Sequence, residues 1–195
     1  MFFTVLGKRL HISFGWSQRE VEMLSIGDVA VYGNHGLCKV ADTLVPSFLP
    51  KGSEKMYYQM ISAIDRGGVL YVPMDGAEDK MREVISAETA TDLIDGLDDM
   101  SLTELPVGKK AEIVISDICK KNEAESILGL IKTLYHIKAV RASEGKKFAS
   151  MDEKYLGIAE KLFYSEIAYA LDMEFDEVRE KITGILAKLP LEADK

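Results

Sequence analysis

His35 and Cys38 stand three residues apart, a spacing at which two side chains can share a metal ion. Structural zinc takes about four ligands, and the other candidates, His11, His136 and Cys119, supply no second pair at ligand spacing. No metal site is expected. Cys38 and Cys119 lie far apart in sequence and give no reason to expect a disulfide. The chain holds no Walker loop and no G-x-S-x-G, H-E-x-x-H or G-x-G-x-x-G motif. Gly33-Asn34-His35-Gly36 is glycine-rich, but it joins two strand-like segments and lacks the helix dipole that holds phosphate. His35 reads there as a turn residue, not a general base. Acid pairs such as Asp98-Asp99 and Asp152-Glu153 fall at expected helix ends, where solvated acids are ordinary. With no nucleophile and base to pair, the expectation is a binding protein that is not an enzyme and uses no cofactor.

Lysine offers different chemistry. Residues 109–147 hold nine Lys/Arg, including Lys109, Lys110, Lys120 and Lys121, against five acids, enough for a local phosphate-contacting patch. The formal net charge of −8 argues against a broad, sequence-independent grip on nucleic acid. A solvated helix face accounts for the same lysines, and both readings fit the composition.

The elements that must position these residues fall into two halves. Asp28–Tyr32 alternates, the glycine turn follows, and Leu37–Ala41 resumes the strand. Pro46–Ser53 is a loop; Met56–Ile61 and Val69–Pro73 are further strands joined by a turn at Asp65-Arg66-Gly67-Gly68. Strands this short and closely spaced predict a strongly bent sheet or partly open barrel, whose edges invite another chain to add a strand. After residue 85 the apolar period becomes helical. Ser86 caps a helix to about Leu97, and Leu102–Gly108 is a connection. Ala111, Val114, Ile115, Ile118 and Cys119 mark a second helical face. Asn122 is placed to cap a third helix, and Ser150–Glu153 forms a capping box for a fourth. A fifth runs from Phe175 to Leu189 and stops at Pro190.

Domain boundaries follow at 1–23, a loosely attached and dispensable extension or a mis-called start; 24–81, the β-domain; and 82–195, the helical domain. No run approaches the roughly 18 apolar residues of a membrane span. The N-terminal apolar run precedes its charges, the reverse of a secretory signal. A cytoplasmic protein is expected, with no membrane partner.

Ile26-Gly27-Asp28-Val29-Ala30-Val31-Tyr32-Gly33-Asn34-His35-Gly36 resembles the opening signature of the CarD/CdnL family of bacterial transcription regulators. The same fold occurs in the polymerase-interacting domain of transcription–repair coupling factor. Val72-Pro73, Met81–Ser86, Leu134-Tyr135 and Ser150–Leu171, with Glu166-Ile167-Ala168, are similar to later family motifs in the same order. The resemblance spans about Leu24 to Leu189. It implies an α+β fold, a small Tudor/SH3-like β-barrel followed by an all-α helical bundle.

In function, the resemblance implies a monomer that binds the RNA polymerase β subunit by sheet-edge pairing. Its helical domain would meet promoter DNA near the upstream edge of the bubble and modulate open-complex stability, at rRNA-type promoters among others. Candidate polymerase-binding residues are Tyr57, Tyr58, Arg66, Val69, Leu70, Tyr71 and Val72. In the family a tryptophan wedges into the minor groove, where an apolar insert offsets the few kcal/mol of unstacking. Spacing puts that position near Gly108, which has no side chain to insert, followed by Lys109 and Lys110; the sole tryptophan is Trp16. The candidate DNA-binding residues are therefore Gly108, Lys109, Lys110, Lys120 and Lys121. Gly33 replaces the signature proline after Tyr32. The alternative is a protein-interaction module that binds polymerase or another partner without touching DNA.

Overall fold

The computed structural model describes residues 23–64 and 68–189. Trp16 and the rest of segment 1–22, Arg66 in its turn, and the helix stop expected at Pro190 lie outside the described residues.

The alternating segments form β1 (Val29–Tyr32), β2 (Leu37–Leu44), β3 (Tyr57–Ser62) and β4 (Val69–Pro73). A short β5 (Met81–Arg82) pairs with β1, in a stretch whose sequence reads as a link into the first helix. The antiparallel order is β4-β3-β2-β1-β5. Among the described residues no ladder joins β4 to β5, so the sheet is open and the barrel that the resemblance implies is not closed. A register slip between Val40 and Asp42 bends β2. One face packs Cys38, Val40, Tyr58, Met60 and Val72 with Ala77 into a small core.

Five helices follow: α1 (Ala87–Asp95), α2 (Lys109–Lys121), α3 (Ala124–Ser143), α4 (Ser150–Leu171) and α5 (Phe175–Leu186). Ser86 caps α1 as expected, its hydroxyl accepting from Thr89 N at 3.0 Å. Two caps differ from the sequence reading. Asn122 ends α2 in the left-handed region, φ 51°, and Glu123 takes the N-cap of α3. Ser150 is already helical behind Ala149, so the capping box expected there is absent; one forms instead between Glu174 and Glu177 at α5.

Helix α3 is the axis of the bundle. Every residue from Ile127 to Leu134 is buried, the pattern of a helix surrounded on all sides. Its two polar members are satisfied. Lys132 Nζ donates to the carbonyls of Leu97 (2.8 Å), Asp98 (2.9 Å) and Met100, while Thr133 Oγ1 accepts from Thr103 N at 2.7 Å. These bonds strap the start of the α1–α2 connection onto α3. No described helix is long and apolar enough to cross a membrane.

The sheet meets the helices at the 3-10 turn Gly33–His35. A Cβ at Gly33 would sit 3.3 Å from Lys120 O, and one at Gly36 would sit 3.1 Å from Leu162 Cδ2. Gly33 also has φ +43°, which proline cannot adopt, so the proline of the family signature would not fit this turn.

Candidate functional site

Two surfaces stand out: the outer edge of β4, which pairs with no further strand among the described residues, and the tip of the α1–α2 connection. At the edge, Ser62 N donates to Gly68 O (3.2 Å) and Met74 N to Met56 O (3.0 Å), one at each end of the β3–β4 ladder. Antiparallel partners alternate between bonded and non-bonded pairs. Both bonds share the phase of Leu70↔Met60 and Val72↔Tyr58. The amides of Leu70 and Val72 therefore face β3, and those of Val69 and Tyr71 face outward. Pro73, with no N–H, ends the donor row.

The same residues carry exposed apolar side chains. Val69 is 48% and Tyr71 43% exposed, and Phe48, 63% exposed, stands beside them. Phe48 meets Tyr71 (5.5 Å between centroids) and Tyr57 (6.0 Å) edge-to-face, a favoured aromatic geometry. The sequence reading missed Phe48; the available signal was a large aromatic in the Pro46–Pro50 loop, where packing gives it no evident reason to be. Of the other candidates, Tyr58 and Val72 are core residues. Tyr58 Oη accepts from Leu24 N at 3.1 Å, holding the entering chain against the sheet. Leu70 is half-buried against the same core.

At the tip, Gly108 is the N-cap of α2 with φ +75° and no side-chain cap. Val107 beside it is an apolar residue 97% exposed. Lys109 and Lys110 open α2, where the positive end of the helix dipole disfavours cations by about 0.3–1 kcal/mol each. An anion at that end would offset this cost. Lys120 and Lys121 lie in the last turn. At 1.5 Å rise per residue they are roughly 16 Å from the first pair, so the four lysines do not make one patch. Lys120 is also paired with Asp117 at 3.4 Å.

The rest of the basic segment is largely committed within the fold. Lys132 is buried, Lys138 lies over the Tyr135 and Phe148 rings at 5.8 Å, Arg141 donates to Lys147 O, and Lys146 pairs with Glu144.

Between the two surfaces lies a polar junction. Arg82 on β5 makes a bidentate pair with Glu166 of α4 and donates through Nε (2.9 Å) and Nη2 (2.6 Å) to Asn122 O. Glu166 Oε1 also accepts from Ile85 N at 3.1 Å, and Asn122 Nδ2 donates to Gly33 O at 2.9 Å. Sheet, α4 and the α2–α3 corner thus share one network.

Residues 24–85 match the family model of the CarD-like/TRCF RID domain. The match covers the sheet unit and leaves the helices from α1 onward outside it. The matched range contains all five strands, runs past Met81 through β5, and stops just before α1. The family that these residues match is one of RNA-polymerase-interacting domains, and the matched range contains the whole exposed edge described above. No curated protein matches the chain.

Proposed function

We propose that this protein is a cytoplasmic, non-enzymatic transcription regulator that binds the β subunit of RNA polymerase through the free edge of β4. The observation that carries this reading is the outward row of Val69 and Tyr71 amides, flanked by exposed Val69, Tyr71 and Phe48 side chains, inside the RID domain. An extended segment of the partner adds to the edge: main-chain bonds supply affinity, and the aromatic face selects side chains.

The helical half then carries the Val107–Lys110 tip to promoter DNA at the upstream edge of the bubble. Lys109 and Lys110 contact phosphates, and Val107 is a small apolar wedge that slows bubble collapse. Valine covers less of an opened base step than an indole does, so the effect on open-complex lifetime is modest.

The net charge of −8 favours a second reading, a module that binds polymerase and leaves DNA alone. Binding to a promoter fork across a salt series, with and without polymerase, separates the two. Under the first reading, changing Lys109 and Lys110 to alanine flattens the log affinity–log salt slope by about 0.9 for each phosphate that is no longer neutralised. The weakening is similar on all sequences, since phosphate contacts do not read bases. Under the second reading the slope does not change.

A further inference from the structure

The outer edge of β4 is self-complementary. Its outward groups are the N–H and C=O of Val69 and Tyr71 and the C=O of Pro73, which has no N–H. A second copy related by a two-fold axis meets this strand antiparallel. With Tyr71 opposite Tyr71 of the second copy, those two residues exchange both main-chain bonds, their Cα atoms about 5.5 Å apart. Val69 then stands opposite Pro73 and donates to its carbonyl, once in each direction. Every outward amide of the two strands is satisfied, and only the Val69 carbonyls, facing the missing donor of Pro73, are left to water. We propose that two copies of this chain pair through β4 in this register and so cover the edge offered to polymerase.

Side chains and charge agree with that register. Val69, Tyr71 and Pro73 share one exposed face of the strand, and the Phe48 ring stands against Tyr71 there. Across the dyad the two Tyr71 side chains are nearest neighbours, each flanked by its own Phe48, and cross-strand aromatic pairs of this kind stabilise a ladder. β4 carries no charged residue, in a chain of formal net charge −8, so two copies meet here with no like charges directly opposite. It also lies at the other end of the sheet from β5, whose Arg82 joins the sheet to α4. A strand of five residues and one flanking ring make a small interface, under about 1,200 Å², the class of transient complexes. The dilute chain is therefore a monomer with an open edge, and rising concentration withholds that edge. Salt screens the repulsion between two acidic chains, so the dimer tightens as salt rises, opposite in sign to a contact with DNA phosphates. The pairing stands on the edge geometry alone; its competition with polymerase rests on the docking reading above.

The test is sedimentation equilibrium of the full chain up to millimolar concentration, beside Tyr71→Lys, Tyr71→Glu and an equimolar mixture of the two variants. Position 71 faces itself only in this register, so each variant alone sets like charges opposite, and the mixture sets a lysine against a glutamate. The natural chain is expected in reversible monomer–dimer equilibrium, each variant alone to associate about fivefold more weakly or worse, and the mixture to recover as a heterodimer. Amide exchange in the natural chain gives a check that needs no variant: protection at Val69 and Tyr71 should rise with concentration, while Leu70 and Val72, bonded to β3, stay as they were. A natural chain that remains monomeric throughout overturns the proposal. So does association that both variants retain, which assigns it to another surface, and so does a mixture no better than its components. If excess polymerase binds without dissociating the dimer, the pairing stands and docking through β4 fails, so the two readings fail separately.

Discussion

Lys132 shows how a residue's chemistry can be visible while its role is not. In the sequence it is one of nine cations in a basic stretch; in the fold it is 8% exposed and binds three carbonyls behind α1. Only the tertiary approach of the 97–100 segment to α3 decides this, and no local pattern encodes that approach. Lys132→Met should cost about 2–3 kcal/mol, since hydrogen bonds from a charged donor are lost and three carbonyls are left to find new partners. A urea midpoint equal to that of the natural chain would contradict this. Burial also pushes the Cys119 thiol up from its ordinary 9.0 to about 11. Folding therefore favours the neutral thiol, and its contribution is intact below pH 9 and lost as pH rises to 11. The fall in melting temperature over that window should be smaller in Cys119→Ala than in the natural chain. Parallel curves would show that the thiol does not contribute.

At the scale of elements the sequence was most legible where one face is buried. The four longer strands and five helices follow from alternation and from helical period, with ends displaced by a few residues. Asn122 is an instructive miss: asparagine suits both a helix N-cap and a left-handed C-cap, and the bond from its side chain to Gly33 O accompanies the second. β5 is two residues long and carries no period to read. At the start of α2, Gly108 is the N-cap and its neighbour Val107 is the exposed apolar residue. Gly108 holds φ +75°, a conformation costly for a side-chain-bearing residue, whereas Val107 already projects into solvent. Val107→Trp should lengthen open-complex lifetime by extending the apolar insert. Gly108→Trp should destabilise the start of α2 by about 1–2 kcal/mol and gain less lifetime. Equal lifetimes for Val107→Trp and the natural chain in a competitor-challenge assay would exclude a wedge at this tip.

For the molecule as a whole, the sequence indicated two halves but not what joins them. The junction of Arg82, Glu166, Asn122 and Gly33 unites residues up to 133 positions apart, a long-range convergence that spacing does not reveal. Glu166 is 2% and Arg82 29% exposed at the side chain. Removing the acid alone, as Glu166→Ala, should destabilise by about 2–4 kcal/mol because it strands the guanidinium, while Arg82→Met/Glu166→Met should recover part of the loss. Denaturant curves for the three proteins check this; a double variant no better than the single would contradict it. The junction fixes how the edge and the tip are presented together, so the docking edge is the point on which the functional reading turns. Its most direct test is the affinity of the full-length chain for core RNA polymerase when the aromatic face is made acidic, as Phe48→Asp/Tyr71→Asp. Both side chains are exposed, so the melting temperature should hold near that of the natural protein. Kd should rise roughly thirtyfold or more, the effect of losing at least about 2 kcal/mol at an interface hot spot. An unchanged Kd in a folded double variant would contradict docking through β4.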